Sequence, residues 1–197
     1  MKNKSVSKRF TLLVMVVLVI SAITVGCGTT NNTSTEGAEI PSLSLGLLPS
    51  IDAIPFIVAH NQGFDKEHGV NLNIQTFKSA KDRDVAFQAN KVDGLSADLI
   101  AISIYNEAGL DVKITSTTFG EFDLLTGNDA IKDIKDLKGK TVILSKNTST
   151  QYTVATILKQ AGLTESDVKV TEVPQIPTRL ELLKNNKADA AILPEPF

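Results

Sequence analysis

From Leu43 onward, short apolar or β-branched runs alternate with stretches whose apolar residues return every three or four positions. The first pattern suits buried strands and the second amphipathic helices, so their alternation predicts βα units around mostly parallel sheets. Strands are expected over residues 43–48, 71–76, 94–97, 113–118, 122–126, 141–144, 168–172 and 190–193, with helices in the gaps. The clearest helix covers residues 150–161, where Val154, Ile157, Leu158 and Ala161 form one apolar stripe and Gly162 is placed to end it.

A self-comparison organises these elements. Arg83, six residues, then Asn90-Lys91-Val92-Asp93-Gly94 recurs 96 positions later as Arg179, six residues, then Asn186-Lys187-Ala188-Asp189-Ala190. With the same shift, residues 45–48 fall on 141–144, and 70–74 fall within two positions of 168–172. Shared helix-exit chemistry at Asn-Lys would explain part of the match without duplication. A period this long is not that of a solenoid. It suits an α/β fold of two similar lobes with mostly parallel sheets and a cleft between them: lobe 1 over 40–120, a crossing over 121–127 and lobe 2 over 128–197. Ligands of open α/β sheets bind beyond the carboxyl ends of the strands, so two facing sheets predict a binder.

The N-terminus carries an address. Lys2, Lys4, Lys8 and Arg9 precede an apolar run over residues 10–23, too short to cross a hydrocarbon core of roughly 30 Å as a helix. Residues 1–26 read as a signal peptide, and Thr24-Val25-Gly26-Cys27 resembles the bacterial lipobox, with Thr24 where Leu is usual. A diacylated Cys27 would anchor the chain at the extracytoplasmic face of the cell membrane, with residues 27–39 as a flexible polar tether. The alternative, a structural Cys in a core helix, suits the following GTTNNTSTEGA tract poorly.

Charge and chemistry narrow the function. The formal net charge is −2, and from Cys27 onward 16 basic side chains face 22 acidic ones, a net of −6, with no basic patch for nucleic acid. A single Cys excludes an internal disulfide and a multi-cysteine zinc site. His60 and His68 lack a metal-ligand partner set, GxGxxG and Walker A patterns are missing, and Gly94-Leu95-Ser96-Ala97-Asp98 lacks the last Gly of a nucleophile elbow. Neither an enzyme nor a cofactor is expected.

The candidate ligand contacts lie after strands. Ser50 and Asp52 precede a helix with Pro55 in its first turn, and either side chain could cap it. Lys146, Asn147 and Thr148 follow the matching strand, with capping-box spacing from Thr148 to Gln151. Ser79 opens the next helix of lobe 1, as a cap, a ligand donor or a solvated loop residue. Asp98 and Glu195 follow the third strand of each copy and are placed to grip a cationic group from both sides, although Asp98 serves equally as a helix cap. Phe56, Tyr152 and Phe197 suit an aromatic wall, the first two also a core. Helix ends and Lys146 favour an anion and the carboxylates a cation; the balance leans to a small nitrogen compound of mixed polarity.

Four segments carry a resemblance: LGLLPSIDAIPFIVAHNQGFDKEHGVNLNIQTFKSAKDRD, QANKVDGLSADLIA, DLKGKTVILSKNTSTQY and RLELLKNNKADAAILPEPF. In this order they resemble the extracytoplasmic solute-binding proteins of ABC importers, in the group for nitrate, sulfonates, taurine and thiamine-pyrimidine precursors. The resemblance implies a periplasmic-binding-protein type II-like fold, a monomer, a small-molecule ligand and a membrane permease as partner. A related family of similar fold acts as a thiamine-pyrimidine synthase, which export of the chain argues against. Family members cross back into the first lobe after the strand matching residues 190–193, whereas this sequence stops at Phe197; a C-terminally truncated or non-functional fragment is the corresponding expectation.

Overall fold

The structure, a computed structural model, describes residues 40–197; the signal peptide, Cys27 and the tether lie outside the described residues. Strands β1 (Ser42–Leu47), β2 (Asn71–Thr76) and β3 (Gly94–Leu95) form a parallel sheet in the order β2-β1-β3. Strands β4 (Phe122–Leu125), β5 (Thr141–Leu144), β6 (Lys169–Glu172) and β7 (Ala190–Pro194) form a second sheet in the order β4-β7-β5-β6. Within it β4 runs antiparallel to β7, from Phe122 opposite Pro194 to Leu125 opposite Ala191, and the other pairs are parallel. Helices α1 (Ile54–Asn61), α2 (Phe64–Glu67), α3 (Ala80–Gln88) and α4 (Leu99–Glu107) accompany the first sheet, and α5 (Ser149–Gln160) and α6 (Ile176–Lys184) the second.

The strongest packing belongs to the second sheet. Every residue of β7 is buried, because α5 covers one face and α6 the other, which is why this strand reads as a continuous apolar run. On one face Val154 and Leu158 of α5 meet Val142, Leu144, Ala190 and Ile192; on the other Ile176 and Leu183 of α6 meet Ile143, Ala191 and Leu193. Gly162, at φ +76°, follows α5 and returns its N–H to the Lys159 carbonyl, the left-handed exit foreseen from sequence. The first core is smaller: Leu45, Leu47, Ala53 and Leu72, with Phe56 packed against them.

Both copies of the repeated motif perform the same task. Arg83 donates to the Ser96 carbonyl and Arg179 to the Ile192 carbonyl, each 2.5 Å and each tying a helix to the strand 13 positions on. Asn90 and Asn186 sit at φ 54° and 52°, a left-handed turn that Asn tolerates better than other non-glycine residues. Asp93 and Asp189 then accept backbone N–H groups of Ser44 and Thr141 at the starts of β1 and β5. The motif closes each lobe, which gives two similar halves.

Two strand expectations need correction. Residues 113–118 form no strand: Ile114 is exposed and the segment pairs with no ladder, without which β-branched residues do not make a strand. The strand expected over 94–97 shortens to Gly94–Leu95, the two residues that pair with β1; its counterpart β7 continues to Pro194 because β4 pairs along its other edge.

One polar knot was not read from sequence. The enclosed Asp65 carboxylate accepts from the His60 imidazole at 2.8 Å and from the N–H groups of Leu72 and Lys66 at 3.0 and 2.8 Å, locking α1 and α2 to β2. The His60 hydrogen bond, then the Leu72 N–H, hold this carboxyl at about 2 against an ordinary 3.8, while burial opposes them. A depressed carboxyl contributes stability above its ordinary value and loses it as pH falls through the folded one. Urea unfolding between about pH 4 and pH 2 should therefore show stability declining in the native chain and a flatter profile in Asp65→Asn; parallel profiles would contradict it.

Candidate functional site

The carboxyl ends of the parallel strands of the two sheets meet in three cross-lobe contacts. After β1, the Ile51 N–H donates to the Glu195 carbonyl after β7, at 3.3 Å. After β2, the Lys78 carbonyl accepts from the Ile176 N–H at the start of α6, at 3.0 Å. After β3, the Asp98 carboxylate accepts from both the N–H and the hydroxyl of Ser149 at the start of α5, each 3.0 Å. Under the 96-residue repeat, β1 corresponds to β5, β2 to β6 and β3 to β7. The first and third contacts are thus equivalents of each other, and the second maps onto itself, an approximate two-fold arrangement. Leu48 of the first lobe also packs against the core around Leu193 and Ile176.

Asp98 is the most heavily used of the expected site residues. Its other carboxylate oxygen accepts from the Ala101 N–H at 2.9 Å and caps α4, so one side chain holds two helix N-termini in different lobes. Both ends carry partial positive charge, which favours a carboxylate between them. Its oxygens are engaged by these donors rather than turned to an open cleft. Asp98→Ala is expected to cost about 1–2 kcal/mol, by loss of a cap alone, in chemical denaturation; no measurable cost would show the contacts to be replaceable by water.

Thr148 is buried and caps α5 by accepting from the Thr150 N–H. The expected reciprocal capping box does not form: the Gln151 side chain reaches the Asn147 N–H at 3.0 Å, one residue upstream, because Asn147 turns the chain at φ 57°. Lys146 and Asn147 are exposed on this loop. Ser79 is fully buried, not a solvated loop residue; it caps α3 and donates to Asp82 at 2.7 Å, so its hydroxyl is fully engaged.

The expected cap by Ser50 or Asp52 is not made. Ser50 is extended before the short turn Ile51–Ala53, and α1 begins from Ala53 without a side-chain cap. Asp52 instead lies against Gly120, where an added Cβ would overlap its carboxylate. Glu195 is exposed and meets lobe 1 through its backbone carbonyl rather than its carboxylate. The position equivalent to Asp98 is Pro194, one residue earlier, so the two carboxylates are not symmetry mates. Of the aromatic candidates, Phe56 and Phe197 pack against cores and Tyr152 is 64% exposed.

Sequence reading missed four contributors. Ser149 had no signal beyond its place after a cap, and the Lys78 carbonyl and Ile176 N–H have none, since backbone contacts leave no side-chain trace. Arg179 had one: it repeats Arg83, yet the acid that follows Arg83 is replaced by Leu180.

Known proteins share this fold. Residues 50–195 match the family model described as NMT1/THI5 like. A protein of Bacillus subtilis (strain 168) named for binding aliphatic sulfonates is 25% identical over 194 residues, which cover 94% of this chain and 57% of that protein. The chain thus spans little more than half the length of this curated relative. The alkanesulfonate-binding protein SsuA of Xanthomonas axonopodis pv. citri, solved bound to MOPS, superposes at a TM-score of 0.64 with 18% identity, over 81% of this chain and 56% of its own. The ligand-binding component of an ABC-type import system from Staphylococcus aureus superposes at 0.69 with 13% identity, over 79% and 55%. At these identities the superpositions establish the fold, that of type II periplasmic binding proteins.

Proposed function

The chain belongs to the NMT1/THI5-like family, and from that premise we propose that it is the solute-binding component of an ABC import system. It captures a small polar organic molecule between lobes divided near residues 121–127, works as a monomer, catalyses no reaction and delivers its cargo to a membrane permease. A lipid on Cys27 holds it at the extracytoplasmic face of the membrane. The observation that supports this most is the convergence of the strand tips of both sheets, joined by Ile51–Glu195, Lys78–Ile176 and Asp98–Ser149. Contacts this few, made through caps and backbone, can exchange for solute contacts when the lobes rearrange.

The test is thermal unfolding and calorimetry of the full chain over a panel of sulfonates, carboxylates, amines and pyrimidines. A ligand at 100 times its dissociation constant contributes about 2.7 kcal/mol, a readily resolved shift. We expect saturable binding of one solute per chain, recovered chemically unchanged. Turnover of any panel member, or stabilisation by none, contradicts the proposal. Metabolic labelling with palmitate, present in the native chain and lost in Cys27→Ser, tests the anchor.

A further inference from the structure

The two lobes are built alike but finished differently. In lobe 2, β7 pairs with β5 on one side and with the antiparallel β4 on the other. Its equivalent under the 96-residue repeat, β3, pairs with β1 on one side and, among the described residues, has no strand on the other. The Ser96 N–H is spent on the Gly46 carbonyl of β1, so the N–H groups of its neighbours Leu95 and Ala97 face the open edge. Their equivalents in lobe 2 are Ala191 and Leu193, which lie opposite Leu125 and Asp123 of β4. An uncovered row of backbone donors and acceptors is a template for one more strand.

Two further features accompany this edge. Helix α4, which follows β3, begins Leu-Ile-Ala-Ile-Ser-Ile-Tyr and is apolar around most of its circumference, yet only Ala101 and Tyr105 are buried, and Leu99 and Ile104 are exposed. A helix of this composition belongs under cover on more than one side. After α4 the chain returns from Leu110 to Gly120, which lies against Asp52 beyond the tip of β1, and so runs in the same direction as β3. This return carries Val112, Ile114, Thr115, Thr117 and Thr118, strand-forming residues that belong to no ladder. A strand entering antiparallel to β3 is antiparallel to this segment as well, and offers a ladder to both.

We propose that the β3 edge is a docking site for an extended segment of a second polypeptide, which enters antiparallel to β3 and completes lobe 1 as β4 completes lobe 2. The place fixes the chemistry of the occupant: free backbone groups for the ladder, and apolar side chains at alternate positions to cover α4. Strand β4 shows the pattern, with Phe122 and Leu124 on either side of Asp123. A second copy of this chain is a poorer occupant, because its β4 is engaged with β7 and its own free edge is the two-residue β3. Docking here requires no solute, so it stands or falls apart from the solute-binding reading.

The probe is a fluorescein-labelled peptide of residues 119–127 of this chain, which carries β4 with its flanks, titrated into the full chain purified in mild detergent. Anisotropy should report saturable binding of one peptide per chain, and a peptide of scrambled order should not bind. Amide exchange should slow at Leu95 and Ala97 and over residues 112–118. Ala97→Pro removes a donor that the β1 ladder does not use, and should weaken the peptide about 3- to 10-fold, as for one lost backbone hydrogen bond. If this variant does not fold, the exchange pattern of the native chain decides. No saturable binding into the millimolar range, protection confined to other strands, or equal binding by a folded Ala97→Pro would overturn the docking edge. So would sedimentation in which the native chain pairs with itself and Ala97→Pro does not, since the occupant would then be a second copy.

Discussion

Replacing Asp84 with alanine is expected to destabilise the chain by about 3 kcal/mol or more, the range for removing one partner of a buried ion pair. Arg83 is 2% exposed, and Asp84 accepts from its Nε and Nη2 and from the Tyr105 hydroxyl, the last at 2.7 Å. Burial, and then the Asp84 carboxylate, push the Tyr105 hydroxyl above its ordinary value, so it stays a donor at all working pH. Without Asp84 the guanidinium keeps only the Ser96 carbonyl, the condition in which Arg179 is already found. Tyr105→Phe removes a single donor and should cost about 1 kcal/mol. Urea unfolding of the two variants checks the ordering; an Asp84→Ala cost below that of Tyr105→Phe would mean that solvent compensates Arg83.

The second large effect is expected in the other lobe. Leu158→Ala should cost about 2–5 kcal/mol, because Leu158 is fully buried among Val142, Leu144, Val154 and Ile192 and strands β5 and β7 hold the surrounding wall apart. Val58→Ala, on the exposed side of α1, should stay within about 0.5 kcal/mol. Denaturant midpoints of the pair measure the contrast. Equal costs would mean that Leu158 is not held in a closely packed core.

Much of the fold was legible because its cause is local. Residues 71–76 and 141–144 are strands within the bounds their pattern predicts, and Gly162 ends α5 as a left-handed residue must. The repeat was visible because closing a lobe requires the same chemistry twice: an arginine for a carbonyl, an asparagine for a left-handed turn and an aspartate for one strand N–H group. Residues 113–118 misled because β propensity needs a neighbouring strand to act on, and neighbours are not local.

The site was legible only as an inventory. Ser79, Asp98 and Thr148 were recognisable as groups that could cap or bind, since capping depends on residues three positions apart. The second partner of Asp98 is Ser149, 51 residues away, and no spacing rule reaches that far. Which N–H groups are spent across the lobe boundary, and which guanidinium N–H is left without an acceptor, depends on where two sheets come to rest. Local propensity and the apolar period therefore determined the elements, their order and the doubling of the lobe. Only the packed structure decided that Asp98 is bound by α5 and that Arg179 has no counter-charge among the described residues, because the energy of a buried charge is set by neighbours that the chain brings together only on folding.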